Sequence, residues 1–457
     1  MIQNRQGAPH IAIIGGGFTG LTAAYELTKA GARVTIFEAD GSLGGLAGGF
    51  DIGGHILEKF YHHWFNNDRY VVDLVKEIGR EGEIVERPTR TGMYYAQSFF
   101  KLSSPLDLLK FSPLSFLDRI RLGLVVPRAR AVRDWMQLEG MTAREWLIKI
   151  CGPKVFKIVW EPLLVGKFGP YADQVSAVWF WKKIALRGGS RSSDGREVLA
   201  YYKGGFAALA DAIGDKVRQH GGEIRLNTPV KAMRSENGRI TGVEIENEVI
   251  AVDAVLATPS LPIIADLVDG HVSPDYTAKL RRVKYLANVC LVLELDRSLS
   301  HTYWLNVADP NFPFVGVIEH TNFEPPESYG GKHIVYLSKY LPAEDRIYSM
   351  STDEVMEFAL PHIKRMFPEF ERSWVKAHHV WKADYAQPIM EKHYSKMMPS
   401  TSTPVPNFFI STMAQVYPED RGTNYAIREG RAAAAQILAT VEAGGSLAKA
   451  DTAPVGA

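Results

Sequence analysis

Cysteine is scarce in this sequence, which has two, Cys151 and Cys290, among 457 residues. They stand far apart and form no C-x-x-C pair, so neither a redox disulfide nor a cysteine metal site is expected. No stretch of about 18 apolar residues is present, so no transmembrane helix is predicted. Charge is balanced, with 52 basic and 51 acidic residues, and gives no reason to expect nucleic-acid binding. His62 and His63 stand without further ligands, and no metal site is predicted.

The two ends of the chain carry few signals. Residues 1–10 are polar and lead directly into an apolar segment, so no signal peptide is predicted. Together with the few cysteines, this favours a reducing, cytoplasmic location. Residues 442–457 are rich in Ala and Gly, which predicts a mobile tail. The length exceeds that of one compact core, and two domains are expected.

The most informative segment is 11–38, where an apolar strand, a glycine loop, a helix and a second strand follow one another. Gly15, Gly17 and Gly20 fit the G-x-G-x-x-G pattern of dinucleotide-binding sites. Gly15 permits a tight turn, Gly17 lets the backbone approach a pyrophosphate, and Gly20 lets the helix pack on the strand. The pyrophosphate would lie at the helix N-terminus, whose unpaired N–H groups favour an anion. Glu38 ends the second strand, where a carboxylate can bind both hydroxyls of an adenosine ribose.

The rest of the chain alternates between two kinds of segment. After a second glycine-rich stretch at 41–49, residues 61–200 are predicted to be mostly helical. Residues 205–258 return to mixed helix and strand, strand-like runs dominate 281–345, and a last strand and helix occupy 408–441. The helices predicted between 61 and 200 are 68–79, 104–111, 114–134, 142–150, 153–159 and 174–186, with a loop at 188–195. This order predicts an α/β domain in three pieces and a second domain, of helices and sheet, built from two insertions.

Several segments resemble the flavoprotein superfamily of amine oxidases, protoporphyrinogen oxidases and phytoene desaturases. They are the first glycine loop with Glu38, the glycine pair in 43–47, the turn at 227–230, the strand end at 255–259, the stretch 160–169 and the helix at 422–430. The resemblance implies FAD as cofactor. It implies a Rossmann-like FAD-binding domain made of 9–60, 200–280 and 400–441, and a substrate domain made of 61–199 and 281–399. A plain NAD-linked dehydrogenase would not need a strand and helix so long after the first loop, which also favours FAD.

The resemblance also implies a set of FAD contacts. Val230 would touch the adenine through its backbone, and Thr258 would lie where the strand closes over the adenosine half. A helix N-terminus near Asn424 would stabilise negative charge on reduced flavin, and the small Ala426 would let the ring approach. Asp420 could lie near the ribityl chain or at the surface. The predicted contacts are Gly15, Gly17, Phe18, Thr19, Gly20, Glu38, Gly44, Gly45, Leu46, Val230, Thr258, Gly422, Asn424 and Ala426.

Two positions depart from the amine oxidase pattern. Leu46 stands where those relatives often have an arginine, and Asn288 stands where they often have a lysine that faces flavin N5. Both departures argue against amine oxidation and for dehydrogenation of a carbon–carbon bond or a ring. The candidate catalytic residues are Asn288 itself, His55 after the second glycine stretch, and His320 at the end of a predicted strand.

The predicted function is an FAD-dependent oxidoreductase of the dehydrogenase, desaturase or oxidase type, in which a substrate passes a hydride to flavin N5. The aromatic-rich insertion suggests a bulky, apolar substrate such as an isoprenoid or a macrocycle. No second dinucleotide loop is present, so oxygen, a quinone or another partner would accept the electrons. The alternatives are a flavin-dependent nucleotide-sugar mutase resembling UDP-galactopyranose mutase, an amine oxidase, and an FAD-bound protein without enzymatic activity.

Arginines alternate with apolar residues over 117–133. Such a stretch can lie on an anionic membrane surface, which predicts peripheral contact with the inner face of a membrane. It could also bind a phosphorylated substrate, or form a solvated helix face over a core.

Overall fold

The computed structural model describes residues 8–95, 97–101, 108–186, 198–309 and 311–442. Its centre is a parallel sheet of five strands, with His10–Ile14 as the middle strand. Every side chain of that strand is buried, as expected for a parallel sheet covered by helices on both faces. Across the sheet the strands are Glu223–Arg225, Arg33–Phe37, His10–Ile14, Ala254–Ala257 and Phe408–Ile410.

The parallel sheet is assembled from stretches of chain that are far apart in sequence. Ala254–Ala257 pairs with the middle strand, so that Leu256 lies beside Ile13. Phe408–Ile410 in turn pairs with Ala254–Ala257 and forms one edge of the sheet. The predicted fold class, an α/β region split into three segments, is confirmed; the domain boundaries stay a prediction.

Three helices contact this sheet or each other: Phe18–Lys29, Gly205–Gln219 and Thr423–Glu442. The first and last of them cross very closely, because a Cβ atom on Gly430 would come within 2.5 Å of the Thr19 carbonyl oxygen. Only glycine permits such an approach. The C-terminal helix is thereby fixed against the helix that follows the first glycine loop.

A second sheet, mixed and seven-stranded, combines the two insertions. Thr91–Tyr95 from the first insertion pairs in parallel with Trp304–Val307 from the second. Tyr285–Leu295 is buried along nearly its whole length and pairs on both sides. Across the sheet the strands are Val375–Pro388, Tyr285–Leu295, His333–Leu341, Gly316–Glu319, Trp304–Val307, Thr91–Tyr95 and Ser98–Lys101.

The prediction that 61–200 is mostly helical is wrong in part. The stretch also contains the strands Trp64–Phe65, Ile84–Pro88, Thr91–Tyr95, Ser98–Lys101 and Val198–Tyr202. Ile84–Pro88 pairs with Val198–Tyr202, more than 100 residues later, and such a partner leaves no local periodicity in the sequence. The helix predicted at 114–134 is two helices, Phe116–Gly123 and Val125–Ala131. The helix predicted at 104–111, the loop at 188–195 and the tail at 442–457 lie wholly or largely outside the described residues.

Smaller elements complete the fold. Three small antiparallel sheets consist of Gly49–Asp51 with Ile56–Glu58, of Ala232–Glu236, Arg239–Glu244 and Val249–Ala251, and of Trp64–Phe65, Val198–Tyr202 and Ile84–Pro88. The remaining α-helices are Arg69–Glu77, Ala143–Cys151, Pro153–Val155, Glu161–Phe168, Ala177–Leu186, Leu261–Leu267, Pro274–Arg281, Arg346–Ser349, Thr352–Met366 and Tyr394–Met397. In the part of the chain that the structure describes, no helix is both long and apolar enough to cross a membrane.

Candidate active site

The first glycine loop turns sharply out of the middle strand. Gly15 has φ of +102°, and a Cβ atom there would lie 2.5 Å from Thr258 Oγ1. The Thr258 hydroxyl donates a hydrogen bond to the Ile14 carbonyl oxygen at 2.9 Å. The predicted contacts Gly15 and Thr258 therefore lie against each other at the carboxyl ends of two neighbouring strands, where ligands of open α/β sheets bind.

Gly17 and Gly20 are needed for different reasons. A Cβ atom on Gly20 would lie 2.1 Å from the Gly15 carbonyl oxygen, so the protein itself demands glycine there. A Cβ atom on Gly17 would meet no protein atom within 4 Å. Gly17 also precedes the helix Phe18–Lys29, which has no side-chain cap, so the N–H groups of its first turn are free for an anion. This uncapped helix end beside open space fits a pyrophosphate.

The second glycine pair lies directly beside the first loop. The Gly44 N–H donates to the Gly16 carbonyl oxygen at 2.9 Å, and Gly17 and Gly44 form a parallel bridge. A Cβ atom on Gly45 would be 3.4 Å from the Gly17 Cα atom. The two motifs thus form one continuous glycine surface, which continues into Leu46.

Glu38 lies at the end of its strand, as predicted. Its carboxylate accepts hydrogen bonds from the N–H groups of Gly16 at 2.6 Å and Asp40 at 2.8 Å. Each carboxylate oxygen can accept a second bond, so room for ribose hydroxyls is left. The Thr228 N–H donates to the Glu38 carbonyl oxygen at 2.8 Å, which brings the turn before Val230 beside the acid.

The C-terminal helix begins at Thr423, next to the predicted contacts Gly422, Asn424 and Ala426. Asn424 Oδ1 accepts a hydrogen bond from the Val71 N–H at 3.2 Å, which fixes the first turn of the helix. The residue before Gly422 is Arg421, whose side chain lines the same cavity as Leu46. The start of this helix and the second glycine pair therefore border one space.

That space is a narrow cavity of about 50 Å³ with mixed polar and apolar walls. Asn288, on the long buried strand, donates from Nδ2 to Ser338 Oγ at 2.9 Å. Its Oδ1 atom is buried and has no hydrogen-bond partner among the described residues. An unpaired buried acceptor is costly unless a ligand or water satisfies it, so Asn288 is placed to contact a bound group. The lining consists of Leu46, Phe60, Tyr61, His62, Asn288, Ser338, Tyr340, Ala386 and Arg421.

His62 is a neutral histidine in this cavity. Its Nδ1–H donates to the Phe60 carbonyl oxygen at 2.6 Å, which leaves Nε2 as an acceptor. Burial, with a smaller contribution from the Arg421 guanidinium, lowers the pKa of His62 to about 4. The imidazole is therefore uncharged at neutral pH and is a weak base.

The side chain of Asp420 is 21% exposed and belongs to an ion cluster. Its Oδ2 atom binds Lys167 Nζ at 3.1 Å and Lys183 Nζ at 2.6 Å, and its Oδ1 accepts from Trp179 Nε1 at 3.0 Å. Although burial raises the pKa of this carboxyl, the two lysines outweigh that effect and hold the pKa below its usual range. The carboxylate ties two helices of the first insertion to the segment that enters the C-terminal helix.

The other two candidate catalytic residues lie away from the cavity lining. His55 is half-buried in the hairpin of the second glycine region, against Gly330. His320 is fully buried, with Nε2 hydrogen-bonded to the Tyr329 hydroxyl at 2.7 Å, and burial lowers its pKa to about 3. Among the three candidates, the structure brings only Asn288 to the cavity. Within the described ranges, no group of His, Cys, Asp and Glu could hold a metal ion.

A parallel sheet with a glycine loop, an acid at the second strand end, and a distant C-terminal helix at the same cleft define a dinucleotide-binding flavoprotein. The chain belongs to the family of flavin containing amine oxidoreductases, which it matches over residues 18–438. It is an FAD-dependent oxidoreductase of that superfamily. The glycine surface and the uncapped helix end fit the pyrophosphate of this cofactor.

Similar proteins act on different substrates. The chain is 23% identical to a 15-cis-phytoene desaturase of Synechococcus elongatus, over 94% of this chain and 96% of that one. It is 24% identical to a carotenoid phi-ring synthase of Streptomyces griseus, over 82% of this chain and 78% of the relative. A putative protoporphyrinogen oxidase from Exiguobacterium has the same fold, with a TM-score of 0.76 at 16% identity, covering 94% of this chain and 99% of that one.

The sequence did not single out five residues of the cavity lining: Phe60, Ser338, Tyr340, Ala386 and Arg421. From the sequence, His62 was considered only as a possible metal ligand, together with His63. The position of Arg421 directly before the predicted flavin helix was a usable signal. Ser338 and Tyr340 carried none, because only the pairing of their strand with Tyr285–Leu295 brings them to the cavity.

Proposed function

We propose that this enzyme dehydrogenates a carbon–carbon bond in a bulky substrate with an apolar body, and does not oxidise amines. One observation carries the proposal: the cavity lining contains a guanidinium, Arg421, and no carboxylate. Without a carboxylate in the described lining, a protonated amine would find no partner for an ion pair. The cavity also departs from the amine oxidase pattern at Leu46 and Asn288, where those relatives often have arginine and lysine.

The residues of the cavity suggest how the reaction proceeds. When bound, the flavin supplies the hydride acceptor. Leu46 and Phe60 give apolar surface against which the substrate is held in place. The carbon next to the one that loses the hydride releases a proton to water, and the electron pair left behind forms the double bond. The neutral His62 contributes its Nε2 atom as a hydrogen-bond acceptor that orients the substrate.

Contact with the inner face of a membrane is part of the proposal and is supported by a surface on the first insertion. The helices Phe116–Gly123 and Val125–Ala131 expose Phe116, Leu117, Ile120 and Leu124 to solvent. Exposed arginines follow at 121, 128, 130 and 133. Apolar side chains flanked by cations suit the interface of a bilayer with anionic lipids, which is also where a bulky apolar substrate would dissolve.

The test is anaerobic bleaching of the visible flavin band by single candidate substrates. We expect bleaching by an unsaturated isoprenoid or a porphyrinogen, followed by recovery with oxygen or a quinone, and no bleaching by polyamines or monoamines. Bleaching by amines with release of hydrogen peroxide would contradict the proposal. Conversion of a nucleotide sugar only after reduction with dithionite would replace it by a mutase function.

A further inference from the structure

We propose that Arg421 anchors an oxyanion on the substrate, so that the substrate combines its apolar body with a carboxylate or phosphate group. This inference rests on the proposed function, because it concerns the substrate of the same cavity. It goes beyond that function by specifying a charged group that a pure hydrocarbon does not have.

Among the described residues, the hydrogen-bond partners of the Arg421 guanidinium are neutral. Its Nε–H donates to Gln387 Oε1 at 3.1 Å, and an Nη2–H donates to the Tyr340 hydroxyl at 3.0 Å. Among the described residues, no carboxylate oxygen lies within 4.0 Å of it. A guanidinium carries five N–H donors in a planar fork that matches carboxylate and phosphate groups, so donors are left for a ligand.

The nearby acid does not neutralise this charge. Both oxygens of Asp420 are occupied by Lys167, Lys183 and Trp179. One carboxylate therefore faces two lysines in addition to the neighbouring arginine. Lys167 Nζ also lies 5.9 Å from the ring centre of Tyr340, so its positive charge acts at the cavity wall.

The next acid, Glu419, does not neutralise Arg421 either, because it is paired with Lys182 at 3.2 Å and Arg428 at 3.1 Å. The wall beside Arg421 is thus electropositive, which favours an anion.

The arginine is held rigidly in place. Gln387 is fully buried, and its Nε2 donates to the Pro388 carbonyl oxygen at 3.0 Å, which turns its Oε1 towards Arg421. Tyr340 lies on the strand His333–Leu341, directly opposite Asn288. A cation fixed by neutral groups loses little conformational freedom when an anion binds, which increases the affinity for that anion.

The rest of the cavity also indicates a ligand that has both an apolar part and a polar group. Leu46, Phe60 and Ala386 supply apolar surface. The unpartnered Oδ1 of Asn288, which is 2% exposed, is a second and independent sign that a polar ligand group reaches this space. Sites with apolar walls and a few fixed polar groups orient a ligand by those groups. An oxyanion on Arg421 would therefore decide which carbon of the apolar body meets the flavin.

The experiment uses the FAD-loaded protein and three probes with the same apolar body: farnesoate, methyl farnesoate and farnesyl phosphate. Binding is measured by perturbation of the visible flavin absorption, for the unmodified protein and for Arg421→Gln and Arg421→Lys. The control variant is Arg218→Gln, which removes an exposed arginine that pairs with Asp215. FAD content and thermal stability are recorded for each variant.

We expect an acid to bind at least about tenfold more tightly than the methyl ester, which is the scale of one charge-assisted hydrogen bond. Arg421→Gln should abolish that preference without loss of FAD, Arg421→Lys should retain part of it, and Arg218→Gln should retain all of it. Tighter binding of farnesoate would identify a carboxylate, and tighter binding of farnesyl phosphate a phosphate.

Equal binding of acid and ester, or no perturbation by either oxyanion, would overturn the inference. If the unmodified protein nevertheless holds FAD, the proposed function stands. Loss of FAD from Arg421→Gln would overturn it as well, because the partner of the arginine would then be the cofactor. If the unmodified protein holds no FAD, the proposed function itself fails and the inference fails with it.

Discussion

At the scale of single residues, the first glycine motif separates the needs of the fold from the needs of the ligand. Gly20 is required by the protein, because a side chain there would collide with the backbone of the loop. Gly17 has φ of −73°, a value that any residue can adopt, and a Cβ atom there would meet no protein atom within 4 Å. Only a bound group gives a reason for glycine at Gly17.

We therefore expect Gly17→Val to fold and to lose FAD. The change should alter the free energy of unfolding of the apoprotein by about 1 kcal/mol or less, as for other substitutions at helix caps. The measurement is the ratio of FAD to protein after purification, together with thermal unfolding of the apoprotein. Gly20→Val is the contrasting variant and should fail to fold. Normal FAD content in Gly17→Val would disprove the assignment of the loop.

Sequence alone could identify residues whose role is set by nearby residues. Gly15, Gly17 and Gly20 follow from a spacing, and Glu38 follows from its place at a strand end. Arg421, Tyr340 and Ser338 do not, because their function depends on a cavity that forms between segments hundreds of residues apart. A lone arginine before a helix looks the same whether it faces solvent or a substrate.

At the scale of elements, the Asp420 ion cluster joins the helices Glu161–Phe168 and Ala177–Leu186 to the start of the C-terminal helix. Asp420→Asn would leave the partly exposed side chains of Lys167 and Lys183 without their shared anion. We expect a loss of about 1–3 kcal/mol in the free energy of unfolding, which is less than for a fully buried ion pair because solvent screens the lysines. Urea unfolding measures it.

The matched control is Asp173→Asn, which removes an exposed ion pair with Arg144 and should cost about 1 kcal/mol or less. Because the pKa of Asp420 is lower in the folded chain than in the unfolded chain, its contribution is present at neutral pH and is lost only as the pH falls through the folded value. Equal stability of the two variants would show that the cluster does not hold these elements together.

The sequence predicted elements well where their periodicity is local and strong, as in helix Gly205–Gln219 and strand Tyr285–Leu295. It failed for Ile84–Pro88 and Thr91–Tyr95, which are short strands stabilised by partners far along the chain. It also predicted one helix over 114–134, where the chain forms two that meet at Leu124. Such breaks depend on tertiary packing, which amphipathic spacing does not record.

At the scale of the whole molecule, the exposed apolar surface of the first insertion gives the membrane proposal a direct test. Phe116 and Leu117 are 63% and 66% exposed. Burying two such side chains in a bilayer interface contributes several kcal/mol, so Phe116→Ser with Leu117→Ser should reduce binding to vesicles containing phosphatidylglycerol by at least about tenfold. Cosedimentation with the vesicles measures it.

The control for that experiment is the pair Ile56→Ser and Val249→Ser, which removes exposed apolar side chains from other parts of the surface. This pair should sediment with vesicles as the unmodified protein does. If the Phe116 and Leu117 variant also sediments unchanged, the surface is a solvated face and has no role at a membrane.

The edge strand Phe408–Ile410 and the helix that begins at Thr423 have a consequence for biosynthesis. A ribosome makes them only after about 400 other residues, which takes roughly 20–80 s at 5–20 residues per second. Throughout that time the nascent chain has its first glycine loop but lacks the last strand and the helix that complete the cleft. The complete cofactor cleft therefore forms late in translation, and until Phe408–Ile410 pairs with it, Ala254–Ala257 is an open sheet edge that a chaperone or a neighbouring nascent chain can reach.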